Sequence, residues 1–133
     1  MSIFTNVQIA LDTRLSTLTG LPSTAWENIQ FDPEEGVTWV RPTTLWGGAE
    51  VSSMERLEKF VGIYQIDVFE PIKKGPGAMN TLLDSIRDHF KATVNLTAGT
   101  DVIIIRSISR ISGERDGSWY RGSIEVAFES YSI

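Results

Sequence analysis

The chain has 133 residues, 41% of them hydrophobic and 22% charged, a composition typical of a globular domain rather than a disordered or membrane-spanning chain. It contains no cysteine and one histidine, which excludes disulfides, thiolate metal sites, cysteine nucleophiles and multi-histidine metal sites. A formal net charge of −5 argues against a general nucleic-acid binder, because clustered Lys and Arg supply most of that affinity.

The same composition bears on organisation and location. No apolar run approaches the roughly 20 residues that a membrane-spanning helix needs, and the N-terminus lacks the pattern of a signal peptide. We therefore expect a cytoplasmic protein. The length is that of one ordinary domain, and neither a repeat nor a linker divides it, so a single domain over residues 1–133 is expected.

An amphipathic helix is predicted at the start of the chain, over residues 2–19. Its apolar residues recur at spacings of three and four, which places them along one side of a helix. Ser2 is a suitable N-cap, and Gly20 is the expected left-handed residue after the helix. Pro22 prevents the helix from continuing.

Two extended segments follow the helix. Residues 25–29 form a short extended piece, and residues 32–36, which contain Pro33 and Gly36, predict a turn. Residues 37–45 are rich in Thr, Val and Trp and predict a strand. Pro42 lies inside that segment, which places the strand at a sheet edge or at a bulge.

A long hairpin connection is predicted over residues 46–59. The segment from Trp46 through Gly47 and Gly48 is expected to break the strand, and the residues that follow are mostly polar. A single helical turn is the alternative for part of this connection. Its apolar residues would be Val51, Met54 and Leu57.

Residues 60–70 predict the central strand. One side of it is expected to face the core, with Phe60, Tyr64, Ile66 and Val68. The other side carries Val61, Ile63, Gln65, Asp67 and Phe69. Pro71 has no N–H for the strand ladder and ends the strand. Three apolar side chains on the second side are more than a monomer with helices on one face would cover, so they indicate a partner surface.

The rest of the chain predicts one more helix and two more strands. An apolar stripe with helical spacing predicts the helix over residues 76–91. Residues 102–111 predict a strand, residues 113–117 a turn, and residues 120–128 the last strand.

The predicted fold is α+β, in the order α-β-β-β-α-β-β. Hairpin-length connections favour a largely antiparallel sheet of four to five strands, with both helices packed on one face. The opposite face is left without a helix.

Titratable residues give little support for catalysis. His89 borders the apolar stripe of the second helix and is interpreted as a boundary residue. Asp84 and Asp88 share a helix face with basic neighbours, which is typical of a solvated, salt-bridged surface. Asp67 lies mid-strand, and two interpretations stay open: a carboxylic acid with a raised pKa, or an ion pair or hydrogen bond across a subunit contact.

Basic and aromatic residues are concentrated around the last hairpin. They are Arg106, Arg110, Arg115, Arg121, Trp119 and Tyr120. Such a mixture is able to bind a polyanion, but Glu114, Asp116 and Glu125 are interspersed with it. A protein interface is favoured, because Arg, Trp and Tyr are enriched there.

Three stretches together resemble the small tail terminator, or tail completion, proteins of long-tailed (siphovirus-like) bacteriophages and gene-transfer particles. They are AWEN at 25–28 with FDP at 31–33, GIYQIDVFEP at 62–71, and GSWYR at 117–121. The resemblance spans nearly the whole chain, and the middle stretch is its most specific part. It implies a ring, usually of six subunits, that ends growth of the tail tube and presents a docking surface to the head connector.

The resemblance also implies partners and a location. The partners would be further copies of the chain, the tail tube protein and the head-tail connector, with DNA passing through the lumen without specific binding. The location would be the virion neck, and the host cytoplasm during assembly. No catalysis, cofactor, metal or membrane is expected. The 46–59 connection matches no landmark of the family, so the resemblance assigns it no role.

Nine residues are candidates for subunit or partner contacts. They are Trp46, Met54, Val61, Ile63, Asp67, Phe69, Arg115, Trp119 and Arg121. Two other functions remain open at this point. One is a different neck component, such as a head-completion or connector protein. The other is a small-molecule-binding or enzymatic domain with a pocket that involves Asp67, Tyr64 and His89.

Overall fold

The computed structural model describes residues 3–52, 57–73, 75–91, 95–98 and 101–132. Two helices and six strands occupy these ranges. In chain order they are α1 (Ile3–Ser16), β1 (Ser23–Thr24), β2 (Trp39–Ser52), β3 (Leu57–Pro71), α2 (Gly77–Lys91), β4 (Asn95–Ala98), β5 (Asp101–Asp116) and β6 (Trp119–Ser132).

All six strands form one sheet, in the order β1-β2-β3-β6-β5-β4. Every neighbouring pair is antiparallel except β1 and β2, which are parallel. The predicted α+β class and antiparallel sheet are therefore found. The predicted strand number of four to five was too low, because β4 was missed. Its four residues carry little alternation of their own, and pairing with β5 makes them a strand. The extended piece predicted at residues 25–29 was also wrong: the strand there is Ser23–Thr24, and the chain turns at Asn28, whose φ is 58°.

The predicted break at residues 46–49 was wrong. The β2 strand continues to Ser52, and a bulge between Trp46 and Ala49 takes up the glycine pair. Glycine suits a bulge because it tolerates unusual backbone geometry, and an added Cβ at Gly47 would come within 3.0 Å of Val61 Cγ2. The alternative of a helical turn is excluded at Val51, which lies in β2, while Met54 lies outside the described residues.

Both helices are found close to their predicted positions. The first ends at Ser16 rather than at residue 19. Gly20 has the predicted left-handed backbone, with φ of 81°, but it lies in the loop beyond the helix rather than directly after it. The second helix spans Gly77–Lys91, one residue shorter than predicted.

The core lies between the helices and one face of the sheet. Buried side chains from both helices meet those of β3 and β6, and burying each large one contributes roughly 1.5–3 kcal/mol. They include Val7, Leu11, Leu15, Met79, Leu83, Ile86, Phe90, Tyr64, Ile66, Val68, Ile124, Val126 and Phe128. The prediction that both helices pack on the same face is confirmed.

The last hairpin is longer than its sequence pattern indicates. Asp116 pairs with Trp119, so its loop is Gly117 and Ser118 rather than the predicted residues 113–117. Gly117 has φ of 61°, which matches the first central position of a type II′ turn. Residues 112 and 113 form a bulge within β5 instead.

Candidate functional site

The sheet face that carries no helix is called the open face. Strand alternation places on it the odd-numbered residues of β3, from Val61 to Phe69, and their neighbours on β2 and β6. Val61, Ile63, Asp67 and Phe69 therefore lie on the face where the sequence placed them. The open face has two ends with different properties.

At one end, Asp67 is 2% exposed and holds a network of hydrogen bonds. Its Oδ1 accepts from Ser123 Oγ at 2.5 Å and from Gln65 Nε2 at 2.9 Å, and its Oδ2 accepts from Arg41 Nη2 at 3.0 Å. The carboxylate is thus paired with a cation of its own subunit. Of the two interpretations left open, the ion pair is present, but it does not need a subunit contact.

Aromatic rings cover the same end. Phe69 stacks on Trp39 with ring centroids 4.0 Å apart and an interplanar angle of 6°, and Trp119 meets Trp39 edge-on at 6.0 Å. Phe31 lies 5.2 Å from Trp39, and the Arg41 guanidinium sits 4.9 Å from the Phe69 ring. Phe69 is 3% exposed, so its burial is complete within one subunit. These rings, with Arg41 and Asp67, are called the closed end.

The other end of the open face is apolar and uncovered. Leu45, Val61, Ile63 and Ala127 form its surface, called the apolar floor, in a shallow groove of about 400 Å³. Leu45 remains 45% exposed, and the other three are partly exposed. All four side chains thus keep some contact with solvent within the subunit. The apolar floor is therefore the part of the open face that a partner is able to bury.

A buried carboxylate borders the apolar floor. Glu129 is 4% exposed, and it pairs with Lys59 Nζ at 3.0 Å and with the Arg106 guanidinium. Tyr131 OH donates a further hydrogen bond to it, at 3.2 Å. The rim of the groove is therefore charged, as is typical of the margin of a protein interface.

Trp46 lies on the helix-bearing face rather than on the open face. Its ring meets Phe4 of α1 edge-on at 4.7 Å and Phe128 at 5.8 Å, and 38% of it stays exposed. The sequence placed it in a loop, whereas the continuing β2 strand fixes which way it points. Met54, another candidate, lies outside the described residues.

The predicted basic cluster is dispersed. Arg106 pairs with Glu129 at one end of the sheet, whereas Arg110 Nη2 donates to Asn80 Oδ1 of α2 at 2.7 Å. Arg121 lies at the closed end, where its hydrogen bond to Glu114 raises its pKa. The described residues thus offer no continuous basic surface for a polyanion here.

Arg115 and Trp119 are also separated by the strand alternation. Arg115 pairs with Tyr120 in the sheet and lines a pocket of about 370 Å³ beside the loop after β3. Trp119 points to the other face and packs on Trp39. The two candidates therefore belong to different surfaces.

The pocket proposed for an enzyme or small-molecule binder is not assembled. Asp67 is on the open face, whereas Tyr64 points into the core, where its hydroxyl donates to Asp12 Oδ1 at 2.5 Å. Burial raises the pKa of both Tyr64 and Asp12. His89 lies at the ends of the two helices, so the three groups do not converge.

His89 holds the two helix ends together. Its Nε2 lies 2.7 Å from the Arg14 carbonyl oxygen, and the Arg14 guanidinium donates back to the His89 carbonyl oxygen at 2.6 and 3.1 Å. Both carbonyls lie near helix C-termini, where backbone acceptors lack partners in the helix. This arrangement agrees with the interpretation of His89 as a boundary residue.

Two further observations concern the described residues alone. No helix in them is both long enough and apolar enough to cross a bilayer. Nor do they bring together three or more His, Cys, Asp or Glu side chains in an arrangement that would hold a metal ion.

Several residues of the open face were missed from the sequence. Arg41, Trp39, Leu45 and Ala127 were not among the candidates, although β2 and β6 place them next to residues that were. The alternation of residues along each strand was the signal that could have placed them on one face of that strand. The pairing that brings Leu45 beside Ile63 depends on strand order and register, which alternation does not give.

Comparison with known proteins finds a solved structure with the same fold and a matching family model. One solved structure covers 100% of this chain and 97% of its own, with a TM-score of 0.77 and 18% sequence identity, so it shares the fold. No match is found among curated proteins. The family model described as "Phage tail terminator protein" matches residues 6–128. The resemblance noted in the sequence is thereby confirmed, and the chain belongs to the phage tail terminator family, a family of phage tail components.

Proposed function

We propose that the chain is a structural protein that forms a ring, usually of six subunits, at the head-proximal end of a phage tail tube. There it ends polymerisation of the tube and provides the docking surface for the head connector. Membership of the tail terminator family over residues 6–128 is the observation that carries this proposal. In this function the chain performs no catalysis and needs no cofactor.

The apolar floor supports an assembly function. Leu45, Val61, Ile63 and Ala127 are adjacent and partly exposed, and such patches mark interaction sites more often than isolated apolar side chains do. Moving a Leu, Ile or Val side chain fully out of water contributes roughly 1.5–3 kcal/mol, and these partly exposed side chains would each contribute part of that. In a closed ring every subunit presents the same floor, so each substitution acts in all copies at once.

The charge of the chain is compatible with a ring around DNA. A formal net charge of −5 would keep a passing polyanion from binding tightly to the wall. The dispersal of Arg106, Arg110 and Arg121 into separate contacts supports the same view, because no basic patch remains along the last hairpin in the described residues. DNA is therefore proposed as cargo that passes through, not as a bound ligand.

Electron microscopy of tails assembled with and without the protein tests this function. With the protein present, tubes of uniform length should end in a ring that joins to heads. Without it, tubes should lack the ring and grow to variable lengths. If tubes have normal length without the protein but fail to join heads, the chain is another neck component instead.

A matched pair of variants links the function to the surface. Ile63→Asp places a charge on the apolar floor, and Ile29→Asp places the same charge on an exposed loop residue, 65% exposed. We expect Ile63→Asp to abolish ring assembly on tails and Ile29→Asp to leave it intact. If both variants fold and assemble equally well, the assignment of the apolar floor to an assembly contact is contradicted.

A further inference from the structure

Each long edge of the sheet is covered over only part of its length. On β2, the strand β1 pairs with Trp39 and Val40, and the Thr44 N–H donates to Glu27 Oε1 at 3.0 Å. On β5, the strand β4 pairs only with residues 101–104. Within the described ranges, no strand pairs with the outer edge of β2 over residues 45–52 or of β5 over residues 107–116.

These two free stretches lie on opposite sides of one row of residues. Leu45 pairs with Ile63, Ile63 with Ala127, and Ala127 with Ser107, so the four form a line across the sheet. From that line the free edge of β2 runs toward one end of the sheet, and the free edge of β5 runs toward the other. The two uncovered edges are therefore diagonal to each other.

We propose that the free edge of β5 pairs with the free edge of β2 in the next copy of the chain, joining the sheets head to tail. This inference rests on the ring of the proposed function. Strands β2, β3, β6 and β5 alternate in direction, so β5 runs antiparallel to β2. A copy placed alongside continues the antiparallel order, and such a heterologous contact gives a ring when the rotation between copies closes.

The diagonal placement sets the geometry of the contact. Bringing the two free edges together shifts the next copy along the strands by about four to six residues, or roughly 13–20 Å. The four strands span about 19 Å across the sheet. The shift and the span together tilt the strands by about 35–45°, which is the tilt of strands in closed barrels.

Side chains on the open face fit this pairing. Ile111 on the β5 edge is 43% exposed, and Leu45 on the β2 edge is 45% exposed, although both are large and apolar. When the next copy is shifted by about four residues, Leu45 and Ile111 lie opposite each other as a cross-strand pair. Bulges between Ile105 and Ser107 and between Ile111 and Glu114 bound a regular stretch of the β5 edge that is available for pairing.

Cysteine cross-linking tests the contact, because the chain has no cysteine of its own. The double variant Leu45→Cys with Ile111→Cys is compared with Leu45→Cys with Ser107→Cys, the pair that an unshifted contact would favour. Each single variant, and Leu45→Cys with Ser85→Cys on exposed α2, serve as controls. After mild oxidation, non-reducing gels measure the linked species, and sedimentation of the unoxidised proteins measures assembly.

We expect a ladder of linked subunits from the Leu45 and Ile111 pair, at roughly tenfold the yield of the Ser107 pair, and none from the controls. A dimer from either single variant would overturn the proposal in favour of a two-fold contact. Assembled protein that gives no ladder would overturn the edge pairing and leave the ring standing. Wild-type protein that stays monomeric both alone and with tail tubes would overturn the ring as well.

Discussion

The two ends of the open face differ in how far their side chains are buried within one subunit. At the closed end, Phe69 and Asp67 are 3% and 2% exposed, because Trp39, Trp119 and Arg41 of the same subunit cover them. At the apolar floor, by contrast, Leu45 is 45% exposed. An apolar residue on a helix-free sheet face is therefore not by itself an interface residue. A second layer of side chains can close such a face locally, and only the uncovered remainder is available to a partner.

The largest effect is expected from Phe69→Ala at the closed end. The substitution removes a ring stacked at 4.0 Å on Trp39 and leaves a cavity, so the free energy of unfolding should fall by about 3–5 kcal/mol. Urea denaturation of the subunit measures this loss. If the subunit is unchanged and only assembly is lost, Phe69 belongs to the interface and the distinction between the two ends fails.

Arg41→Ala should have the next largest effect, about 2–3 kcal/mol. It leaves the buried Asp67 carboxylate without its cation, but the Arg41 side chain is 41% exposed, so water screens part of the loss. Arg87→Ala is the matched control, because Arg87 pairs with Asp88 on an exposed helix surface and should cost under about 0.5 kcal/mol. Equal losses in the two variants would show that the closed end does not depend on its ion pair.

Asp12→Asn tests how a partly buried carboxyl group on the helix-bearing face of the sheet affects the pH dependence of stability. Asp12 receives a hydrogen bond from Tyr64, and burial raises its pKa above the ordinary 3.8. The folded state therefore holds the proton more tightly, and stability falls as pH rises from 3.8 through the raised pKa. The variant should lose less stability than wild type over that range. Denaturation midpoints at about pH 4 and about pH 7 measure the difference, and parallel changes in both proteins would contradict it.

Leu45→Asp should have the smallest effect on the subunit, within about 0.5 kcal/mol, because its side chain is already half in water. Its effect should appear in assembly instead, since a charge replaces an apolar contact on the floor. Thermal melting and sedimentation of one preparation measure both quantities. A destabilised subunit with unchanged association would assign Leu45 to the fold rather than to a contact.

Local patterns in the sequence were enough to predict much of this architecture. Helical spacing predicted both helices and their shared face, and the alternation of residues 60–70 predicted which side chains of β3 face away from the core. These signals are strong because they repeat along one element and depend only on its own geometry. The stretch GIYQIDVFEP and its two companions also indicated the tail terminator family, and the family match over residues 6–128 agrees with them.

The tertiary structure alone decided which open-face residues are covered. Asp67 and Phe69 belong to the closed end because β2 pairs with β3 in the register that sets Arg41 beside Asp67 and Trp39 beside Phe69. Leu45 and Ile63 stay partly exposed because no comparable set of stacked rings lies over that part of the sheet in the described residues. Register and strand order arise from contacts between distant segments, so no local period in the sequence encodes them. The same reason explains why β4 was missed and why the glycines after Trp46 suggested a break rather than a bulge.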